Sequence, residues 1–123
     1  FGKDIVMSDN GKETLDFTYI NDLVDGVARC ILNKNAMNQV FNITYGSACS
    51  VANMADIIKH HFPNISIKSV KRDKLMPQRG TLNVDKAKDL IGYKPSWPLE
   101  DGYPMYIKWY KNFAEENPNL FKK

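Results

Sequence analysis

The sequence predicts an α/β fold, and three observations carry that expectation. Short runs that alternate apolar and polar residues read as strands. Longer stretches with apolar residues spaced three and four apart read as helices. The two kinds then follow one another along the chain, as they do in α/β domains. The expected order is an N-terminal β-ribbon and then alternating strands and helices, about four of each.

The elements follow in order. Residues 4 to 8 and 15 to 20 alternate as strands, and Asn10-Gly11 between them is a hairpin signal because both residues tolerate positive φ. In LDFTYI, Leu15, Phe17 and Tyr19 share one face. Asn21 or Asp22 can cap the next helix with a side-chain oxygen. Its apolar stripe is Leu23, Val24, Val27, Ala28, Ile31 and Leu32, with Asp25 and Arg29 opposite. Cys30 borders the stripe as a small core residue.

QVFNITY, residues 39 to 45, reads as a strand, and Ser50 caps a helix with Val51, Met54, Ala55, Ile58 and Phe62 inward. His60 points away from that face and His61 sits at its margin. ISIKSVK is a further strand with Ile65 and Ile67 on one side. A helix over 84–91 buries Val84, Ala87, Leu90 and Ile91 and stops at Gly92. The last helix carries Tyr103, Ile107, Tyr110 and Ala114 on one stripe. Pro104 requires that it start after Leu99 or bend, since proline has no amide to donate. Residues 1–116 form the folded lobe and 117–123 a loose tail.

Composition narrows the functional classes. The chain has 123 residues, 43% hydrophobic and 25% charged, which is the profile of one globular domain. A chain this long buries about two thirds of its unfolded surface, so it needs no metal or disulfide to be stable. Cys30 and Cys49 are far apart, and the two histidines are adjacent, so no zinc pattern is present and no metal ligand is expected. No apolar run is long enough to span a membrane and no leader opens the chain, so a cytoplasmic setting without membrane attachment is expected. The start, Phe1-Gly2-Lys3-Asp4, lacks an initiator methionine and reads as a piece of something longer.

Chemistry is sparse. The sequence has no G-x-G-x-x-G, no G-x-x-x-x-G-K, no Tyr-x-x-x-Lys pair and no G-x-S-x-G, so no catalytic or cofactor-binding residue is assigned. Positive charge concentrates in Lys68, Lys71, Arg72, Lys74 and Arg79, offset only by Asp73. The stretch is therefore +4, against +3 for the whole chain. The lysines read as a solvated edge. Arg79 differs: it precedes a glycine in a loop entering a helix, and its planar fork suits phosphate oxygens. A nucleic-acid module would use the same charge, but no nucleic-acid motif accompanies it, and no such partner is expected.

Several short blocks, taken in order, resemble the C-terminal half of an NAD-dependent epimerase/dehydratase of the extended short-chain dehydrogenase/reductase family, similar to UDP-glucose 4-epimerase-like nucleotide-sugar enzymes. The blocks are Asp16-Phe17-Thr18-Tyr19-Ile20-Asn21-Asp22, Asn42-Ile43-Thr44-Tyr45-Gly46, Arg79-Gly80, Lys86-Ala87 with Leu90-Ile91-Gly92-Tyr93-Lys94-Pro95, and Leu99-Glu100-Asp101-Gly102 with Trp109.

The resemblance implies the C-terminal, nucleotide-sugar-binding lobe of a Rossmann-type enzyme. NAD and the catalytic residues would belong to an N-terminal Rossmann half, and this fragment alone would bind no NAD. It also implies that Ile5, Val6 and Met7 run beside the nucleotide base and that Arg79 clamps the diphosphate. At Leu15 relatives often carry a second arginine, so one phosphate ligand is missing there. The expected activity of the parent is epimerisation through a keto intermediate. The alternatives are a 4,6-dehydratase, a decarboxylase, or a non-catalytic regulatory or scaffold relative. A homodimer is a further expectation.

Overall fold

The computed structural model describes residues 4–121. It is α/β, with strands β1 (Ile5–Ser8), β2 (Thr14–Leu15), β3 (Cys49–Ser50) and β4 (Ile67–Val70). The helices are α1 (Ile20–Leu32), α2 (Val51–His61), α3 (Asp85–Ile91) and α4 (Leu99–Glu116). The expected lobe of 1–116 and tail of 117–123 extend at either end beyond the described residues.

The strands pair differently from the expected ribbon. β1 lies parallel to β4, with Ile5 opposite Ile67 and Ser8 opposite Val70. β2 lies antiparallel to β3, with Leu15 opposite Cys49. Asp9, Asn10 and Gly11 do take positive φ, as the turn signal required. They form a left-handed turn closed by the Lys12 amide on the Asp9 carbonyl at 3.2 Å, however, and Gly11 is buried against the start of α2. The turn thus directs the chain toward α2, and β2 does not return along β1.

Beyond Leu15 the expected strand loses its ladder. There, side chains replace backbone pairing: the Thr18 hydroxyl accepts from the Tyr45 amide at 3.1 Å, and Asp16 accepts from the Gly46 amide at 3.1 Å. Residues 39 to 45 carry no strand either. Their alternation still places Phe41 and Ile43 against the core of Ala87, Ile91 and Tyr93.

Helix α1 departs from its pattern. Tyr19 occupies the N-cap position without a side-chain cap, so neither Asn21 nor Asp22 serves there. Asp22 is instead buried and accepts from the Ser96 and Trp97 amides at 2.9 and 3.0 Å. Gly26 lets the helix backbone approach closely, since an added Cβ would collide with Ile43 and Tyr93. Arg29 bonds Asp25 at 2.6 Å and the Gly92 carbonyl at 2.8 Å. Helix α1 therefore docks through its polar face, and the apolar stripe expected to be buried is exposed, with Ile31 78% and Leu32 83% accessible.

The other helices follow the sequence more closely. Ser50 caps α2 by accepting from the Asn53 amide at 3.1 Å, and Ala55 is buried. Gly92 ends α3 at φ 67°, and its amide bonds the Lys88 carbonyl at 3.1 Å. Leu90, expected on the inward face of α3, is partly exposed at 37%. Helix α4 starts at Leu99 in spite of Pro104. Pro104 is the sixth residue of the helix, beyond the first four whose amides lack an intrahelical partner, so it costs the backbone bond that an amide there would make to the Glu100 carbonyl. Ile107 is buried, with Tyr103, Tyr110 and Ala114 half-buried on the same stripe. Near the end of the described residues Phe121 lies edge-on to Tyr110 and Phe113, with centroids 5.8 and 6.1 Å apart, while 118–120 are exposed. No helix among the described residues is long and apolar enough to cross a membrane.

Candidate functional site

The turn that follows β1 is the starting point. Asp9 and Asn10 take left-handed backbone conformations at φ 46° and 55°, which an L-residue adopts at a cost of about 1–2 kcal/mol. The turn is held across the chain by the Asn10 amide, which donates to Ser69 Oγ on β4 at 2.9 Å. It forms one wall of a polar cavity of about 340 Å³. The loop after β4 contributes Arg72, Gln78 and Arg79 to its lining.

Three cations meet in this cavity: Lys12, Arg72 and Arg79. Asp9 and Glu13 are the carboxylates beside them, and Ser8 and Thr14 add hydroxyls. The Arg79 side chain is exposed and has no ion-pair or hydrogen-bond partner among the described residues. Its backbone is fixed, because the Thr14 hydroxyl donates to the Arg79 carbonyl at 3.2 Å. Arg72 is tied down, with Nη2 donating to the Met76 and Pro77 carbonyls at 3.2 and 2.8 Å. Its Nε is buried and without a partner, an N–H left over for an acceptor. The arrangement offers one free planar fork, a second guanidinium held in place, and a nearby ammonium. It can take an anion whose remaining surface forms hydrogen bonds.

The sequence-derived candidates fall around this cavity unevenly. Arg79 lines it. Ile5, Val6 and Met7 lie on β1, which leads into the cavity through Ser8 and Asp9, and they are not part of its lining. Leu15, on β2, pairs with Cys49 of β3 and is likewise not in the lining, whereas its neighbour Thr14 is.

The basic run also separates. Lys68 pairs with Asp4, Lys71 and Lys74 lie outside the cavity, and Arg72 joins Arg79. The sequence marks Arg72 only as one member of the basic run and does not single out Lys12. Their only local signal was positive charge, and nothing local placed them opposite one another.

A second cavity, about 320 Å³, is apolar and lies between α1 and α4. Ile20 and Leu23 line it on one side and Tyr103 and Tyr106 on the other, so it continues the exposed stripe of α1. Cys49 is held as a thiol by burial and by the nearby carboxylates of Glu100 and Asp16, which raise its pKa. That is the opposite of an activated nucleophile. No group of three potential metal ligands occurs among the described residues.

The fit to NAD can be judged at β1. This strand ends in Ser8 and a left-handed turn, not in a glycine-rich turn opening a helix, which is what a dinucleotide pyrophosphate needs. No hydride step is assigned to residues of this chain.

No protein-family profile matches the chain. UDP-glucuronic acid decarboxylase 1 of Xenopus tropicalis is 31% identical to it over 121 residues, covering 96% of this chain and 28% of the relative. UDP-glucuronate 4-epimerase 1 of Arabidopsis thaliana is 27% identical over 119 residues, covering 83% and 27%. Among solved structures, an epimerase of Methanothermobacter thermautotrophicus superposes with a TM-score of 0.83 at 25% identity, over 97% of this chain and 35% of that one. The chain thus spans about a third or less of the length of the relatives it matches.

Proposed function

We propose, for a chain whose homologues are UDP-glucuronic acid decarboxylases and epimerases, that it is the nucleotide-sugar-binding part of an NAD-dependent epimerase. In this reading the sugar nucleotide is oxidised to a keto intermediate and reduced again by machinery on a Rossmann half outside this chain. The observation that carries it is the polar cavity after β1, which Arg79, without a side-chain partner among the described residues, lines together with Arg72 and Lys12. Arg79 clamps the diphosphate, and Arg72 supplies the second guanidinium that Leu15 does not.

The exposed stripe of α1 and the apolar cavity beside it form the face that the Rossmann half covers. A stripe of this kind is costly to leave in water, at about 25 cal/mol per Å² of apolar surface. Decarboxylation is the second reading, favoured by the 31% identity to a UDP-glucuronic acid decarboxylase.

Calorimetric titration with UDP-glucose and UDP-glucuronate at fixed salt tests the assignment. Arg79→Ala is expected to weaken binding by the strength of a charge-assisted, bidentate pair, about ten- to a hundredfold. Arg79→Lys should recover only part of that, since a point charge lacks the fork. Lys71→Ala, outside the cavity, should have little effect. Equal losses for Arg79→Ala and Lys71→Ala would indicate a diffuse basic surface and end the clamp assignment.

A further inference from the structure

The loop that carries Arg79 has little structure of its own. Residues 77–83 are exposed and contain no helix or strand. One tie is at its far end, where the Asn42 side chain donates to the Asn83 carbonyl at 2.9 Å. At its near end Arg72 Nη2 donates to the Pro77 carbonyl at 2.8 Å, and between the two ends the ties come from two residues of the extended segment, Thr14 and Asp16. Thr14 donates its hydroxyl to the Arg79 carbonyl at 3.2 Å. Asp16 Oδ2 accepts from the Thr81 hydroxyl at 3.2 Å and from the Leu82 amide at 3.3 Å. Being two apart in an extended chain, Thr14 and Asp16 project to the same side.

The Asp16 carboxylate has a second attachment. Oδ1 and Oδ2 accept from the Gly46 amide at 3.1 and 3.2 Å. Gly46 sits at φ 80° with Val84 packed against it, at the exit of the same loop. One carboxylate therefore joins the strand segment, the 44–46 turn and the Arg79 loop. Among the described residues it has no cationic partner, and it does not line the polar cavity.

We propose that Asp16 is a positioning residue of the anion site, fixing the loop so that the Arg79 guanidinium stands where a diphosphate is met. The inference rests on the reading of Arg79 as the clamp. It also has a sign of its own. A carboxylate acting on the anion through charge alone would repel it, so neutralising Asp16 would tighten binding. A carboxylate acting through the loop does the reverse, because a bidentate contact is lost when the fork is displaced.

The test uses Asp16→Asn, which puts an NH2 group in place of one carboxylate oxygen and removes the charge that strengthens the bonds from the Gly46 amide, the Thr81 hydroxyl and the Leu82 amide. The probe is UDP, titrated calorimetrically, with amide hydrogen exchange read at Leu82. The expected result is faster exchange at Leu82 and a UDP affinity lowered about tenfold despite the lost negative charge, or about 1.4 kcal/mol.

The double variant Asp16→Asn/Arg79→Ala should bind no more weakly than Arg79→Ala alone, because the two act as a unit. Thr81→Val, an exposed site, removes one of the carboxylate's donors and should give a smaller loss in the same direction. Unchanged or tighter UDP binding in Asp16→Asn overturns the proposal, as do losses that multiply in the double variant. If Arg79→Ala loses affinity and Asp16→Asn does not, this inference alone fails. If the wild-type chain binds no UDP, the clamp reading fails and the role of Asp16 goes with it.

Discussion

Asp22→Ala is expected to remove about 2–4 kcal/mol of stability, a large share of the roughly 5–15 kcal/mol available to a domain. The figure follows from the contacts. Asp22 is 4% exposed, and its two oxygens accept from the consecutive amides of Ser96 and Trp97 at 2.9 and 3.0 Å. The Ser96 hydroxyl at 3.4 Å is at the margin of a bond and adds little. Alanine removes two hydrogen bonds to a charged acceptor, each worth about 1.5–3 kcal/mol, the Ser96 one at the low end because Ser96 is exposed and water can replace the acceptor, while relieving the cost of burying a charge.

Those two amides lie just before α4, and Asp22 lies in the first turn of α1, so one carboxylate fixes the starts of two helices. Asp22→Asn keeps one acceptor and should cost about half as much. Urea denaturation measures both, and tryptophan emission suits it because the Trp97 ring packs on Tyr19 with centroids 5.1 Å apart. A loss below about 0.5 kcal/mol for Asp22→Ala at unchanged m would refute the reasoning. The Ser96–Trp97 segment would then be held by packing alone.

Two further predictions concern pH and association. Tyr93 is 1% exposed and donates to the Thr44 carbonyl at 3.0 Å, and burial, with the carboxylates of Asp22, Asp16 and Asp25, pushes its pKa up to about 12. The folded value lies above the unfolded one near 10, so its contribution is complete below pH ~10 and is lost as pH rises toward 12, by about 2–3 kcal/mol. Tyr93→Phe should flatten that alkaline decline in a pH series of denaturation curves, and an unchanged slope would count against it. The α1 stripe should drive self-association of the isolated chain. Val27→Lys with Ile31→Lys, both exposed, should reduce it in sedimentation velocity, and a clean wild-type monomer at high concentration would refute the idea.

What the sequence made legible were features whose cause is local. Ser50 caps α2 because a hydroxyl three residues from an amide reaches it in any helix start. Gly92 ends α3 because the left-handed terminus favours a residue without Cβ. The stripes of α2 and α4 point inward, for the most part, as their spacing requires. Features with distant causes were not legible. Spacing tells which residues of α1 share a face, but not which face is covered. The answer turned on Gly26 and on Asp22, whose partners lie 74 and 75 residues away. Residues 39 to 45 kept their alternation without a ladder because no strand among the described residues lies beside them to pair with. The candidate site divides in the same way: a loop arginine before a glycine was readable at Arg79, whereas Arg72 and Lys12 acquired meaning only when β1 and β4 paired.

That pairing also bears on which ligand suits the proposed site. Counted along the sequence, the basic stretch is +4 and fits any polyanion. Folded, it is divided: Lys68 is paired with Asp4, Lys71 and Lys74 lie outside the cavity, Arg72 is turned onto two carbonyls, and Arg79 lines the cavity without a side-chain partner among the described residues. Inside the cavity three cations stand against Asp9 and Glu13, a formal excess of one, with hydroxyls and the Gln78 amide between them. A phosphate backbone is held by many cations in a row, each releasing counterions and steepening the salt dependence. A cavity with one excess charge and several neutral donors and acceptors does not work that way. It matches a compact ligand with one anionic segment and hydrogen-bonding groups on either side, which is the form of a sugar joined through a diphosphate to a nucleoside. The proposal therefore carries a salt signature: UDP-sugar affinity should fall only shallowly with ionic strength, and a steep fall would favour the nucleic-acid reading.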